Sequence, residues 1–526
     1  HCILPFSTDV YRDESIASSV SSEDAKATVK EFDRLLSQAK HIVELDGIYG
    51  TGDKGAPKRH RAYQAAAWFL LQQSDVIIAG YQKEERGLPG GTEESVKEAL
   101  LSGIPVVWID TGAKPDSEGL LPIRVLKSSW DLENPSSSDW LDEVSGLVEK
   151  LVELPGDEGP KAMREEAIES MQEFYGDTQT PKSYRKMVWK YFLKLTGGAS
   201  SMRPAKALEV EPIESHRRRA SSLSRHYTSQ YRGAFVINFL LLIVVVMLAA
   251  GFELVSTGNS PIWLALLKLA IILYIYWNSF SANSRKWHRR GIDFRVLTEF
   301  LRSSNYLSPL GVATPSARLP VQYGINGLQH DWSQWLFRSI VRAEPIVTTD
   351  KGSSRVMALD KKALDQARNG VVEYWVDSQI EHHRETAKSM SKMFGRLEGL
   401  SRWLIRLMLV AVIGQAAVEV YYQVSDVDSE GAIWRWLVFI GAVAPAAVAS
   451  FAGILYQSEA RRLTDRSAAL ARELEQWNQR LIKAPAQPHG CDSWALAQNA
   501  LLIAQLVADE VADWHLFNQP HEVGVT

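Results

Sequence analysis

The sequence predicts a protein of two parts: an α/β domain with a parallel sheet, then an all-α membrane domain with four transmembrane helices in two hairpins. Three observations lead to this fold class. Four largely uncharged apolar segments lie between residues 234 and 456. Short apolar runs alternate with helical patterns over residues 1–130. Basic residues flank the apolar segments mainly on one side, an asymmetry typical of proteins that cross a bilayer.

The composition argues against some classes of function. The 526 residues carry a net charge of −4, so charge alone favours no nucleic-acid partner. Cys2 and Cys491 stand too far apart to form a metal motif or a disulfide framework. Adjacent His382 and His383 point to different sides of a helix, so we expect neither a metal nor a cofactor. The sequence begins at His1, and we expect part of the N-terminus to be missing.

The N-terminal domain, residues 1–130, alternates strand and helix patterns. The patterns predict strands at 1–6, 41–45, 75–81, 104–110 and 123–126, with helices at 22–40, 58–73 and 92–102. We expect the sheet to be parallel and truncated at its start. Ligands of such sheets bind outside the carboxyl ends of the strands, so the residues that follow each strand are the candidates for a binding site.

The turn "GLPGGTEES" follows one of these strands and opens a helix. Gly80 closes the strand, and Gly90, Gly91 and Thr92 begin the helix, with Glu93 behind them. Glycines let backbone N–H groups approach a ligand, and a helix N-terminus favours an anion. The alternative is that Thr92 only caps the helix. The residues themselves leave both interpretations open.

Two further segments contain candidate ligand-binding residues. Asp46, Tyr49 and Asp53 follow the strand at 41–45 and can face the same crevice, although a turn rich in glycine and aspartate explains them equally. Tyr11 and Arg12 follow the first strand. Arg12 is placed to reach a phosphate or to form a surface salt bridge, and the sequence does not distinguish these roles.

The four apolar segments have the length of membrane spans. They cover residues 234–252, 261–277, 403–422 and 436–456, each near the roughly 20 residues that cross a bilayer. Buried core helices are the alternative. The loops inside each pair are short and acidic or neutral, whereas the other flanks are basic. The positive-inside rule therefore predicts an integral protein of the plasma or inner membrane with both termini cytoplasmic.

A few ionisable groups lie inside the predicted spans. Lys268 stands half-way along the second span, and Gln415 and Glu419 stand in the outer half of the third. Such groups are costly in a bilayer and are often functional, so a contact of Lys268 with Glu419 or Gln415 is one interpretation. Snorkelling of Lys268 to the interface is the other. Pro445 is expected to loosen the fourth span.

The remaining segments complete the predicted organisation. Residues 131–230 form a linker and helical connector, in which Trp189, Tyr191 and Phe192 with Lys190 make either a membrane-surface contact or ordinary core packing. The predicted domains after it are the first hairpin (231–305), a cytoplasmic connector (306–373), the second hairpin (374–482) and a C-terminal helix and tail (483–526). The two hairpins have the same order of helix, span, loop, span and helix, which suggests an internal repeat.

The N-terminal domain resembles a known group of proteins. "LPGGTEES" is similar to the "PGGxGTxxE" loop of the lysine-decarboxylase-like (LOG) proteins, and "SDVIIAGYQ…GLPGGTEESVKEALLSGIPVVWI" resembles the wider SLOG superfamily of Rossmann-like nucleotide-sensing or nucleotide-processing domains. The resemblance covers about 1–130. It implies a nucleotide pocket at Gly80, Gly90, Gly91, Thr92 and Glu93. The full LOG arginine–glutamate spacing is absent, which favours a sensor over a hydrolase.

The membrane part resembles a second group. "YTSQYR" before the first span and "KWHRRGIDFRVLTEFLR" after the second are similar to SLATT-type modules, which are paired-span domains found with SLOG sensors in prokaryotic nucleotide-signal systems. The resemblance covers about 215–305 and, more weakly, 374–480. It implies an effector that forms a pore or disrupts the membrane.

Together these features predict a ligand-gated membrane effector. A nucleotide or nucleotide-derived small molecule binds the cytoplasmic domain, and a homo-oligomer in the lipid bilayer opens in response, in a role such as anti-phage defence. One alternative is a membrane-anchored nucleotide N-glycosidase or phosphoribohydrolase that uses Glu93, Glu94 or Asp53. The other is a scaffold that binds no ligand.

Overall fold

The chain is mostly helical, with a small amount of β-sheet built around its N-terminal segment. It is seen in a computed structural model. The structure describes residues 2–16, 22–82, 89–115, 119–133, 139–153, 161–176, 183–198, 213–255, 261–312, 332–343, 356–425, 431–483 and 490–518.

Two three-stranded sheets contain the strands of the described residues. The strands are β1 (Cys2–Leu4), β2 (Ile42–Glu44), β3 (Ile77–Tyr81), β4 (Val106–Asp110), β5 (Ile123–Leu126) and β6 (Val356–Ala358). The first sheet has the order β1-β2-β6 and is wholly parallel. The second has the order β3-β4-β5, and only its β3-β4 pair is parallel. The five predicted strands are present, but the expected parallel sheet of residues 1–130 is wrong, because the strands lie in two sheets and β5 pairs with β4 antiparallel. β6 was not predicted, because the sequence analysis treated its segment as a connector.

The helices make up the rest of the described architecture. They are α1 (Thr8–Val10), α2 (Ser22–Gln38), α3 (Gly52–Gln72), α4 (Thr92–Leu101), α5 (Trp140–Val152), α6 (Lys161–Tyr175), α7 (Tyr184–Thr196), α8 (Ile213–Val255), α9 (Ile262–Ser284), α10 (Trp287–Leu307), α11 (Trp332–Ala343), α12 (Lys361–Asn369), α13 (Asp377–Ser425), α14 (Ala432–Ser458), α15 (Ala460–Lys483) and α16 (Asp492–Asn518). π-Helical turns cover Tyr11–Ile16 and Gly370–Val376.

The first sheet shares one hydrophobic core with the helices that extend from the membrane segments. Phe6, Val43 and Phe69 lie in this core beside Leu310, after α10, and Trp375, before α13. The second sheet has a separate core around Val96, on α4, and Trp108. Burial of these side chains removes apolar surface from water and is the main term that holds the α/β part against the helices.

Four helical stretches are long and apolar enough to cross a membrane, and the prediction of four such segments is confirmed. They are Ile213–Val255, Ile262–Leu310, Lys361–Ser425 and Ala432–Ile482. Helix α9 packs against α8, α8 against α14, and α14 against α13. In the described residues the apolar helices therefore stand in a row, with α9 and α13 at its two ends.

The two hairpins share an unusual backbone feature. Helix α9 is followed by Lys286 at φ 50°, and α14 is followed by Glu459 at φ 49°. Both are left-handed conformations that non-glycine residues rarely adopt. After each break a polar helix packs along the long first helix of its hairpin, α10 along α8 and α15 along α13. This common plan supports the internal repeat predicted from the sequence.

The intramembrane contact considered in the sequence analysis is not formed. Lys268 and Glu419 make no ion pair with each other in the described part of the chain. The reason is their placement, since Lys268 is on α9 and Glu419 is on α13, at opposite ends of the row. Pro445 lies inside α14, which continues as a helix to Ser458.

A cavity at the carboxyl edge of the first sheet

A cavity of about 410 Å³ opens where β1, β2 and β6 end. It is lined by Phe6, Ser7, Val10, Glu14, Glu44, Leu45, Asp46, Gly47, Ile48, Tyr49, Ala358, Leu359 and Asp360. These residues belong to the strand ends or to the segments that follow them, because all three strands run in the same direction. The carboxyl edge of a parallel sheet is where open α/β sheets bind their ligands.

Three carboxylates of the cavity accept hydrogen bonds from the starts of three helices. Glu44 accepts from the Thr8 backbone N–H at 2.9 Å and also from the Thr8 hydroxyl. Asp46 accepts from the backbone N–H of Ser493, at the start of α16, at 3.2 and 3.3 Å, and from its hydroxyl. Each helix start presents unpaired N–H groups and partial positive charge, which a carboxylate satisfies.

The third carboxylate, Asp360, lies two residues after β6, the strand that the sequence did not predict. Asp360 is the N-cap of α12 and accepts a hydrogen bond from the Ala363 backbone N–H at 2.7 Å. The cavity is thus the point at which α1, α12 and α16 begin. If one of these carboxylates moves, the helix start that donates a hydrogen bond to it loses or shifts that bond.

The chemistry of the cavity is acidic. Its described lining contains four carboxylates and no lysine or arginine. Carboxylates accept hydrogen bonds from hydroxyl and amine groups, whereas phosphates require cationic or N–H donors. The buried thiol of Cys491 lies next to this region, and burial together with the charge of Asp46 raises the pKa of Cys491 to about 12. That thiol is protonated at neutral pH and is not a nucleophile.

The glycine turn predicted as the binding site packs against α3 and does not line the cavity. Gly91 is the N-cap of α4 and Thr92 its first helical residue, without a side-chain cap bond. The Gly90 backbone N–H donates to the carboxylate of Glu94, which also accepts from Gln64 Nε2 at 3.0 Å. In this structure Glu94 therefore holds the amide that was proposed to meet a ligand.

The left-handed Gly90 has a packing role in addition. At φ 79° it sits against the backbone of His60 and the side chain of Tyr63 on α3, so a side chain at this position would overlap them. The Tyr63 ring also contacts Phe6, which lines the cavity, with ring centroids 5.8 Å apart.

The other predicted residues take separate positions. Gly80 is exposed in β3 and pairs with Ile109. Glu93 forms an ion pair with Lys97 at 2.7 Å on the surface of α4. The Tyr11 ring packs on Phe32 with centroids 5.5 Å apart.

Arg12 shows the second of the two roles weighed from the sequence. It pairs with Asp33 at 2.9 Å and with Asp9 at 3.4 Å, as an exposed salt bridge. Of the ten candidate ligand-binding residues named from the sequence, all of which the structure describes, Asp46 and Tyr49 line the cavity and the other eight do not.

Sequence reasoning missed Glu14, Glu44 and Asp360. The signal for Asp360 was local, because "VMALD" is a short apolar run followed by a typical N-cap residue and a helical pattern. The signal for Glu44 was weak, since an acidic residue at the end of a strand is common. The sequence could not show which three strand ends meet. Strand β6 lies more than 300 positions after β2 and pairs with it only in the folded protein.

The fold and cavity define a class: a helical membrane protein whose membrane segments carry an α/β unit on their polar extensions. Comparison of the chain with protein-family models, curated proteins and solved structures gives no match.

Proposed function

We propose that this protein is a ligand-gated integral membrane effector, in which the α/β unit senses a nucleotide-derived small molecule and controls a transmembrane pore. The single observation that carries the proposal is the path from the cavity to the bilayer. Asp360 lines the cavity and caps a helical stretch, Lys361–Ser425, of 65 residues that ends beyond the third apolar segment. At about 1.5 Å per residue this stretch is roughly 95 Å long.

The hydrogen bonds of the cavity provide a route by which ligand binding can change the positions of distant helices. A ligand with hydroxyl or amine donors competes with backbone N–H groups for the oxygens of Glu44, Asp46 and Asp360. Its binding energy is then coupled to the positions of three helix starts, one of which continues into the membrane. The π-helical turn Gly370–Val376 interrupts that helix before α13. π-Turns are frequent at functional sites, and this one is placed to absorb a change of helix register.

The acidic lining favours the ribose and amino groups of a nucleotide over its phosphates. An acidic residue that holds a ribose hydroxyl is a feature of dinucleotide-binding α/β folds. The Rossmann-like part of the proposal rests on the parallel β3-β4 pair joined by α4 and on the parallel first sheet, and its SLOG-type part rests on the resemblance of the glycine turn. We therefore propose as the ligand a nucleoside-type molecule that offers ribose hydroxyl or amino groups to these carboxylates.

The pore is proposed to need several copies of the chain. The four apolar helices stand in a row and do not enclose a channel within one chain, in the part that the structure describes. Their apolar residues face outward, as with Leu273 on α9 and Val410 on α13. Homo-oligomerisation in the plasma or inner membrane follows, with the α/β unit and both termini in the cytoplasm according to the basic flanks.

The first experiment is calorimetric titration of the detergent-purified protein with nucleosides, ADP-ribose, NAD fragments and cyclic nucleotides. Asp46→Asn keeps an oxygen that caps α16 and removes the carboxylate charge. We expect a ligand whose affinity falls about tenfold or more in this variant, as for the loss of a charged hydrogen-bond acceptor. Glu31→Gln, on the exposed α2, is the matched control and should bind as the parent does.

The second experiment tests the effector role. The protein is reconstituted in vesicles that contain a self-quenched dye, and the ligand found by calorimetry is added. Dye release that depends on the ligand and is reduced in Asp46→Asn supports the proposal. Binding without release, together with a monomeric mass in nanodiscs with and without ligand, would refute the pore and leave a membrane-bound binding protein.

A further inference from the structure

Helix α7 has an apolar face that nothing in the described structure covers. Tyr184, Met187, Tyr191 and Leu195 follow one another at helical spacing and are 47, 57, 58 and 79% exposed. The opposite face is buried by Trp189, Phe192 and their neighbours in the core. Trp189 and Phe192 are therefore buried, whereas Tyr191, which the sequence pattern places with them, is exposed. These four side chains form one contiguous apolar stripe, whereas exposed apolar residues that have no function are usually scattered singly.

The first end of α7 lies at the depth of the membrane segments. The Tyr184 hydroxyl is 2.8 Å from the Tyr274 hydroxyl of α9. The Arg185 Nε donates to Asn278 Oδ1 at 2.8 Å, and its guanidinium group lies over the Trp277 ring. Tyr274 precedes Arg285, the first charged residue after this span, by eleven positions, or roughly 16 Å of helix. The stripe therefore starts beside the last residues of the second apolar segment, which covers 261–277.

The other end of α7 reaches the second hairpin. Arg396 Nη1 on α13 donates to the Leu195 carbonyl at 3.2 Å, and Ser389 donates to the Gly198 carbonyl. Both α13 residues precede the third apolar segment, which begins at 403. Helix α7 thus extends from the last part of α9, in the first hairpin, to the segment of α13 that precedes the third apolar segment.

A row of lysines lies beside the apolar stripe. Lys186, Lys190 and Lys194 are spaced by four residues and are exposed. Basic side chains next to an exposed apolar stripe are the pattern of helices that lie in a membrane interface, where the lysines meet anionic headgroups. The stripe is also continuous with the lipid-facing side of α9, where Trp277 and Phe280 are 53 and 61% exposed.

We propose that α7 is an in-plane helix that docks on the anionic lipid surface, with its apolar stripe among the acyl chains and its three lysines on the headgroups. The occupant is the bilayer and not another protein, because the stripe begins at Tyr184, beside a residue of a membrane-spanning helix. The inference does not depend on the ligand or on the pore. In this proposal α7 joins the two hairpins and is held in place by lipid.

The test places an environment-sensitive fluorophore at Leu195→Cys in a Cys2→Ser background, since the remaining Cys491 is fully buried. The full-length protein is studied in nanodiscs of phosphatidylcholine with and without phosphatidylglycerol, and the acyl chains carry a bromine or nitroxide quencher. Leu101→Cys, on α4 at 77% exposed, is the matched control in the α/β unit. We expect about twofold or greater quenching at residue 195, a blue-shifted emission, and no quenching at residue 101.

A second variant tests the lysines. Changing Lys186, Lys190 and Lys194 to glutamine should remove the increase in quenching that phosphatidylglycerol produces, while the protein remains folded by circular dichroism. A fluorophore at residue 195 that reports water, or is quenched no more than that at residue 101, overturns the proposal. If the fluorophore at residue 195 is protected from water in a way that depends on protein concentration and not on lipid, a second copy of the chain covers the stripe. That result also overturns the proposal.

Discussion

The carboxylate of Asp46, two residues after β2, accepts hydrogen bonds from the backbone N–H and hydroxyl of Ser493, a residue 447 positions later. This contact joins the N-terminal sheet to the start of α16, next to a bridge between Gly47 and Gly490. The same carboxylate lines the cavity. Asp46 therefore has a structural role that can be separated by mutation from a role in ligand binding.

Asp46→Ala should destabilise the protein by about 0.5–2 kcal/mol, because the start of α16 loses its acceptor. Asp46→Asn should retain most of that stability, since the side-chain amide still offers an oxygen. Thermal unfolding in detergent, followed by circular dichroism, measures the difference. Equal losses in both variants would show that the carboxylate charge, and not the cap, holds the two segments together.

Gly233→Ala should weaken the contact of α7 with α8. An added methyl group at Gly233 would overlap the backbone carbonyl of Arg185, which cannot rotate away. Overpacking of this kind costs about 1–3 kcal/mol. Gly395→Ala on α13 is the control, because nothing lies within 4 Å of its added carbon, and there the better helix former should stabilise by about 0.5–1 kcal/mol. Midpoints of thermal unfolding that shift in opposite directions would bear this out.

The pair of Arg185 and Asn278 should show a strong energetic coupling. Asn278 is fully buried, accepts from Arg185 at 2.8 Å and donates to Asn238 at 2.7 Å. Asn278→Leu leaves the buried guanidinium without this acceptor and should cost about 1–3 kcal/mol. The double variant with Arg185→Leu should cost less than the sum of the two single changes. Additive losses in a double-mutant cycle would contradict this account.

The protein should lose stability in weak acid. Burial, with the charge of Arg295 nearby, lowers the pKa of His382 to about 4, and burial with the neighbouring His382 lowers that of His383 to about 3. The unfolded histidines titrate near 6.5, so the unfolded chain binds more protons below that pH. The contribution of the two histidines is present above about pH 6.5 and should be lost progressively as the pH falls towards 4, where the unfolded chain takes up protons that the folded protein does not.

Chemical denaturation at a series of pH values measures this dependence. The groups that face the two rings include Glu299, Arg295 and Arg302. The variant His382→Gln/His383→Gln cannot take up the protons, so its stability should change less over the same interval. A parent protein with constant stability from pH 7 to pH 5 would refute the prediction, since both histidines would then be accessible to protons when folded.

The sequence by itself determined the features that depend on local pattern. The four apolar helices and the five strands of residues 1–130 were predictable, because apolar length and apolar alternation are properties of neighbouring residues. The helix at 92–102 was predictable for the same reason, and α4 runs from Thr92 to Leu101. The repeat of the two hairpins was visible as an order of elements before Lys286 and Glu459 marked it in the backbone.

Tertiary structure alone decided which segments meet. The three residues of β6 are too few to carry a periodic signal, and they become the third strand of the first sheet only by pairing with β2. The partner of Asp46, the carboxylate that holds the Gly90 amide and the uncovered face of α7 likewise depend on contacts between distant segments. Local propensity specifies each element, but burial and hydrogen bonding across the chain select its neighbours, and the candidate site is made of those neighbours.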